Sequence, residues 1–211
     1  MGTFKNGILG GFFGKVGPVV GLQLGDTYVM RALPRRTKPF TAKELENQHK
    51  FRLVQNYLSP FIDLLKVGFN NYYTKTGGFR AAVSYTRKEA LKKGENGFYI
   101  DQHLVKISGG ALTPAIDPLV EIAGNGEISI QWNTTTVNRF DESDQLLLLV
   151  YNSEQKIFTH RIFNGAYRKD GQIKVTPNPR LLNMEVDIYI GFVAADRSMQ
   201  SDSQYLGRFK L

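Results

Sequence analysis

Cysteine is absent from the chain, and histidine and tryptophan are scarce, with three and one respectively among 211 residues. The first absence excludes disulfides, thiolate metal ligands and a cysteine nucleophile. The histidines, His49, His103 and His160, form no HExxH pair and have no close carboxylate pattern, so they are read as structural side chains, the first on a helix and the other two on strands. Long apolar runs are lacking as well. No window approaches the roughly 18 to 20 uncharged apolar residues of a membrane span. The short run at 8–13 is interrupted by Lys15 and passes into glycine, without the ordered pattern of a secretory leader. The expectation is a protein without a transmembrane segment, made in the cytoplasm, with incorporation into a particle or non-classical export left open.

Patterns for chemistry are missing in the same way. GGFFGKV brushes against the phosphate-loop consensus, but Leu9 stands where its first glycine belongs and Val16 where a magnesium-binding hydroxyl belongs. Ser201 and Ser203 in SMQSDSQYLG lack a GxSxG elbow and an adjacent base. Asp141, Glu142 and Asp144 supply too few oxygens and no loop glycine for calcium, and are expected to form a solvated turn. Neither a catalytic residue, a metal nor a cofactor is expected.

What the chain does have is an unusual beginning. Gly7, Gly10, Gly11, Gly14, Gly17, Gly21 and Gly25 recur every three or four residues among Phe, Val and Leu. That much glycine, with Pro18, is unfavourable in an isolated helix, and the flanks of Gly25-Asp26 suggest short strands about a turn. Small residues let backbones approach closely, and a tail selected only for solvation would rarely carry this much apolar surface. An assembly arm is the expectation. A proline-spaced basic strap follows, with Arg31, Arg35, Arg36 and Lys38. It suits either phosphate contact or a grip on an acidic neighbour.

Charge is divided along the chain. Residues 1–110 carry 17 Lys and Arg against 7 Asp and Glu, whereas 111–211 carry 10 against 12. Within the first part, TAKE at Thr41 to Glu44 is a capping box that opens a helix. Its apolar stripe comprises Leu45, Val54, Leu58, Phe61, Ile62 and Leu65, with a kink at Ser59-Pro60 and an end at Gly68. A second helix is expected from FRAAVSYTRKEALKKG, ending at Gly94, and FYIDQHLVKIS reads as a strand or hairpin arm. Beyond it, strands are expected at 119–123, 127–132, 145–151, 156–162, 172–176, 185–194 and 205–209, spaced as in an all-β sandwich. Trp132 should be buried, opposite a central strand VDIYIGFV. The domains expected are a glycine-rich basic arm, 1–40, a helical region with a terminal strand, 41–110, and a β-sandwich, 111–211, making the fold α+β.

ISIQW, DQLLLLVYN, GQIKVTP and VDIYIGFVAAD resemble a fibronectin type III or immunoglobulin-like module from about residue 118 to the end. Over the whole chain, FKNGILGGFFGKVGPVVG, NQHKFRLVQNYLSP, KISGGAL and SDSQYLGRF are similar to a family of uncharacterised proteins of about 210 residues from Bacteroidetes-type bacteria. That resemblance implies architecture and no activity. The basic RxxPxxxK stretch before a Gln/Arg-bearing helix is also similar to some phage virion proteins. Together these features predict a non-enzymatic protein that assembles with its own copies through the arm, as a virion or tail-like particle or surface filament subunit. Nucleic-acid binding by the basic half, including 88–93, is the alternative, and a carbohydrate-binding or adhesin role through aromatics such as Tyr167 comes third.

Overall fold

Period-two apolar patterning in the second half produces antiparallel sheets, and the helical stripe of the first half covers one of them. The computed structural model describes residues 2–4, 7, 10–33, 35, 37–71, 77–95, 97–135, 141–162 and 165–211. The chain divides into two compact units, Met1–Leu45 and Glu46–Leu211.

The first unit is a meander of strands β1 (Thr3–Phe4), β2 (Phe12–Val16), β3 (Val19–Leu24) and β4 (Thr27–Ala32), paired in chain order. Gly17-Pro18 and Gly25-Asp26 are two-residue hairpin loops, closed by Val16 opposite Val19 and Leu24 opposite Thr27. Each has glycine first, at φ +57° and +60°, which suits a tight hairpin that a side-chain-bearing residue would strain.

Helix α1 (Ala42–Leu58) starts at the expected capping box. Thr41 N donates to Glu44 Oε2 at 2.8 Å and Glu44 N donates to Thr41 Oγ1 at 3.3 Å. Pro60 replaces the next turn by a 3₁₀ turn, Ser59–Phe61, before α2 (Ile62–Gly68). Val54, Leu58, Phe61 and Leu65 of the expected stripe are buried, joined by Leu64, whereas Leu45 is exposed. Helix α3 (Gly78–Glu89) stops five residues earlier than expected, because LKKG pairs as strand β5 (Leu91–Gly94) with β6 (Gly97–Ile100). The strand expected through His103 likewise ends at Ile100. Asp101 accepts from His103 N and starts a 3₁₀ turn over Gln102–Leu104.

All seven expected strands are present: β7 (Ile116–Ile122), β8 (Ile128–Asn133), β9 (Gln145–Asn152), β10 (Ile157–Arg161), β11 (Gln172–Val175), β12 (Glu185–Val193) and β13 (Gln204–Lys210). They form two antiparallel sheets, ordered β10-β9-β12-β13 and β11-β8-β7. Strands β9 and β12 are buried on both faces, and alternate residues serve different cores. Leu146, Leu148, Val150, Ile188, Ile190 and Phe192 pack with Ile128, Ile130 and Trp132 of the three-stranded sheet. Leu147, Leu149, Tyr151, Tyr189 and Val193 pack with Leu58, Phe61, Leu65 and Ala82 of the helices. The second unit is therefore layered, with helices on one face of the four-stranded sheet and the three-stranded sheet on the other.

Trp132 is buried as expected, with Nε1 donating to the Arg168 carbonyl at 2.8 Å and its ring edge-on to Phe192. Asp144, expected in a solvated turn, is instead 3% exposed and paired with Arg168, itself 4% exposed, at 3.0 Å. A second buried carboxylate, Asp187, accepts from the Tyr205 hydroxyl at 2.9 Å and from Nε and Nη2 of Arg208 at 3.0 and 3.1 Å.

Candidate functional site

Strands β3 and β4 have an unusual side-chain distribution. Their register places Val19, Gly21 and Gln23 beside Ala32, Met30 and Tyr28 on one face, and Val20, Leu22 and Leu24 beside Arg31, Val29 and Thr27 on the other. Both faces are thus substantially apolar. An antiparallel sheet covered on one side would have an apolar face and a polar one. Among the described residues of the first unit only Gly21 is buried, while Phe4, Val16, Leu24, Tyr28 and Met30 are exposed, Met30 by 67%.

The glycines thin this sheet. A Cβ at Gly21 would strike the Phe12 carbonyl and ring, and one at Gly11 would strike the Tyr28 ring. Gly14 lies opposite Gly21. Gly10 N donates to Gly7 O at 3.1 Å. The aromatic groups make pairs within the unit, Phe4 with Phe12 at 5.7 Å and Phe13 with Tyr28 at 5.8 Å between ring centroids. Strand β4 is at one end of the sheet order, and an end strand offers backbone donors and acceptors for a further strand.

The strap begins on this end strand. Arg31 lies on β4, and Arg31, Arg35 and Lys38 are exposed. Arg36 is outside the described residues. Of the basic residues 88–93, Lys88 is in the last turn of α3 and lies 3.4 Å from Glu89, while Lys92 and Lys93 are exposed on β5.

The histidines are scattered. His49 is exposed on α1, His103 stacks edge-on against Tyr205 with centroids 4.6 Å apart, and His160 is half-buried on β10. Burial, and then the neighbouring Arg161 charge, lower the His160 pKa below the usual imidazole value. Ser201 Oγ accepts from Phe192 N at 2.8 Å and Ser203 Oγ from Ile107 N at 2.9 Å, so both hydroxyls brace the backbone. Among the described residues, no three His, Asp or Glu side chains converge on one metal position, and no helix is long and apolar enough to cross a membrane.

The protein belongs to the DUF6266 family. It is a family of unknown function, and its model matches residues 11–207. Strands β2, β3 and β4 lie within that match, so the apolar sheet is part of the DUF6266 region rather than an appendage to it. No curated protein and no solved structure matches the chain.

Proposed function

We propose that this DUF6266 protein is a non-enzymatic structural subunit that assembles with its own copies through the N-terminal sheet, as part of a virion or tail-like particle or a surface filament. The observation that carries the reading is the sheet's two apolar faces with one buried residue between them. Exposed apolar area of this kind is stabilised by burial against another surface, at about 25 cal/mol per Å². Gly11 and Gly21 let Tyr28 and Phe12 close onto the sheet's own backbone, and the end strand β4 permits strand addition. Opposite net charges in the two parts of the chain favour a head-to-tail arrangement over a random one.

The proposal extends to the second unit, as a fibronectin III- or immunoglobulin-like sandwich. Strand order supports it. If β7 to β13 are lettered A to G, A, B and E form one sheet and C, F and G share the other with the fourth strand. An immunoglobulin constant domain groups A, B, E and D opposite C, F and G, so the difference lies in the fourth strand alone. The sandwich faces the surroundings of the assembly, and the N-terminal sheet joins the subunits.

Deleting residues 2–25 removes β1 to β3 and leaves both cores of the second unit. The truncated protein is expected to keep the circular dichroism of a folded α+β protein and a cooperative melt, and to have the mass of a single chain by light scattering, where the full-length protein is larger. Equal masses for the two would refute assembly through the arm.

A further inference from the structure

A cleft in the second unit, of about 570 Å³, opens between α1, the β5–β6 hairpin and the β9–β10 turn. This size is within the range of small-molecule sites. His49, Arg52, Leu53, Asn56 and Tyr57 reach it from α1, at the helical spacing that places them on one face. Phe98 and Ile100 share the inward face of β6 and line it opposite α1, the exposed Tyr99 alternates to the other face, and Tyr151 lines it from β9.

The charged side chains lining this cleft are basic among the described residues: Arg52 and Lys156, with His49 beside them. Arg52 and Lys156 make no ion pair or hydrogen bond among the described residues. Lys50, whose charge is offset by Glu46 at 2.7 Å, holds its ammonium 4.3 Å from the Phe98 ring centroid at the edge of the cleft. Glu154, the nearest acid in sequence to Lys156, lines a different cleft together with Asp187 and Arg208. The two floor tyrosines stay neutral: burial pushes Tyr151 up to about 12 and raises Tyr57 further. Lys156 also has φ +56°, a left-handed conformation that glycine or asparagine adopts at less cost. A lysine is nevertheless what the turn presents to the cleft.

We infer that this cleft binds a small carboxylate carried on a planar apolar body, with the carboxylate at Arg52 and Lys156 and the ring system against Phe98. Arg52 supplies the forked donors that match a carboxylate, and Lys156 a point charge. The Phe98 side chain supplies apolar contact area. This site is separate from the assembly sheet, and its test does not depend on the oligomeric state.

The probe is 2-naphthoate, compared with the neutral naphthalene-2-carboxamide of nearly the same shape, titrated into the full-length protein by calorimetry. The acid is expected to bind at least about tenfold more tightly than the amide, the minimum that one charge-assisted hydrogen bond contributes. Arg52→Gln and Lys156→Gln are each expected to weaken the acid by a similar factor and leave the amide unchanged. Equal affinity for acid and amide, no detectable binding of the acid at millimolar concentration, or unchanged binding in the Lys156→Gln variant would each overturn the assignment. Because Lys156 is an exposed turn residue, its variant keeps the test decisive even if Arg52→Gln alters the helix.

Discussion

Replacing Arg168 with methionine is expected to destabilise the second unit by about 3–5 kcal/mol, the cost of leaving a buried charge without its partner. The guanidinium is held on every side. Nε donates to Asp144 Oδ2 at 3.1 Å, Nη2 donates to the Thr113 carbonyl at 2.7 Å, and the group stacks 4.1 Å from the Phe192 ring centroid. The Arg168 backbone carbonyl accepts from Trp132 Nε1, a bond that the substitution leaves in place. The substitution leaves the Asp144 carboxylate 3% exposed with its cation gone. The double variant Asp144→Leu, Arg168→Met should be more stable than Arg168→Met alone, since an apolar pair has no uncompensated charge to desolvate.

The same variant should respond to acid in a distinctive way. Burial already raises the Asp144 pKa above the usual carboxylate value, and the Arg168 charge opposes that rise. Without Arg168 the rise is larger. A carboxyl raised in the folded state penalises folding when ionised, and the penalty is relieved as pH falls through the folded value towards the unfolded one. The stability gap between Arg168→Met and the unmodified protein should therefore narrow on acidification. Denaturant melts of both proteins across pH 7 to 4 check this, and a gap that is constant or widens in acid would mean that Asp144 is not the group left behind.

Tyr151→Ala is expected to cost about 3–5 kcal/mol, as for other large-to-small aromatic truncations in a core. Its ring meets Tyr57 at 5.2 Å and Phe61 at 5.1 Å between centroids, both edge-on, and its hydroxyl donates to the Tyr57 carbonyl at 3.3 Å. This is where the helical layer joins the sheet. Tyr151→Phe keeps the ring contacts and loses one hydrogen bond, so it should cost only about 0.5–1.5 kcal/mol. Equilibrium unfolding of the two variants separates ring packing from hydrogen bonding. Similar losses for both would make the hydroxyl, rather than the ring contacts, the main link.

Strands were legible in the sequence wherever one face is polar, as in ISIQW, and where turn residues separate them. The shared core was harder to see. DQLLLLVYN and VDIYIGFV are nearly continuous apolar runs, the pattern of strands buried on both faces. That pattern was a sign that another layer covers β9 and β12, and the layer is the helices. Two boundaries were misread for local reasons. LKKG has helix-compatible residues, but its pairing with Gly97–Ile100 prevails over propensity. The alternation through His103 is broken by Asp101, whose carboxylate accepts from the His103 amide. The Asp144–Arg168 pair was not legible, because the two residues lie 24 positions apart and only the fold brings them together. In the arm, the spacing of the glycines marked the close approaches, such as Gly21 to Phe12, but the apolar character of both faces emerges only from the β3–β4 register.

The central claim is that the N-terminal sheet joins copies of this DUF6266 protein. Electron microscopy of the purified full-length chain tests it most directly. Discrete particles or fibres with a regular subunit repeat are predicted, whereas fields containing only single 23.8 kDa molecules at every concentration would contradict it.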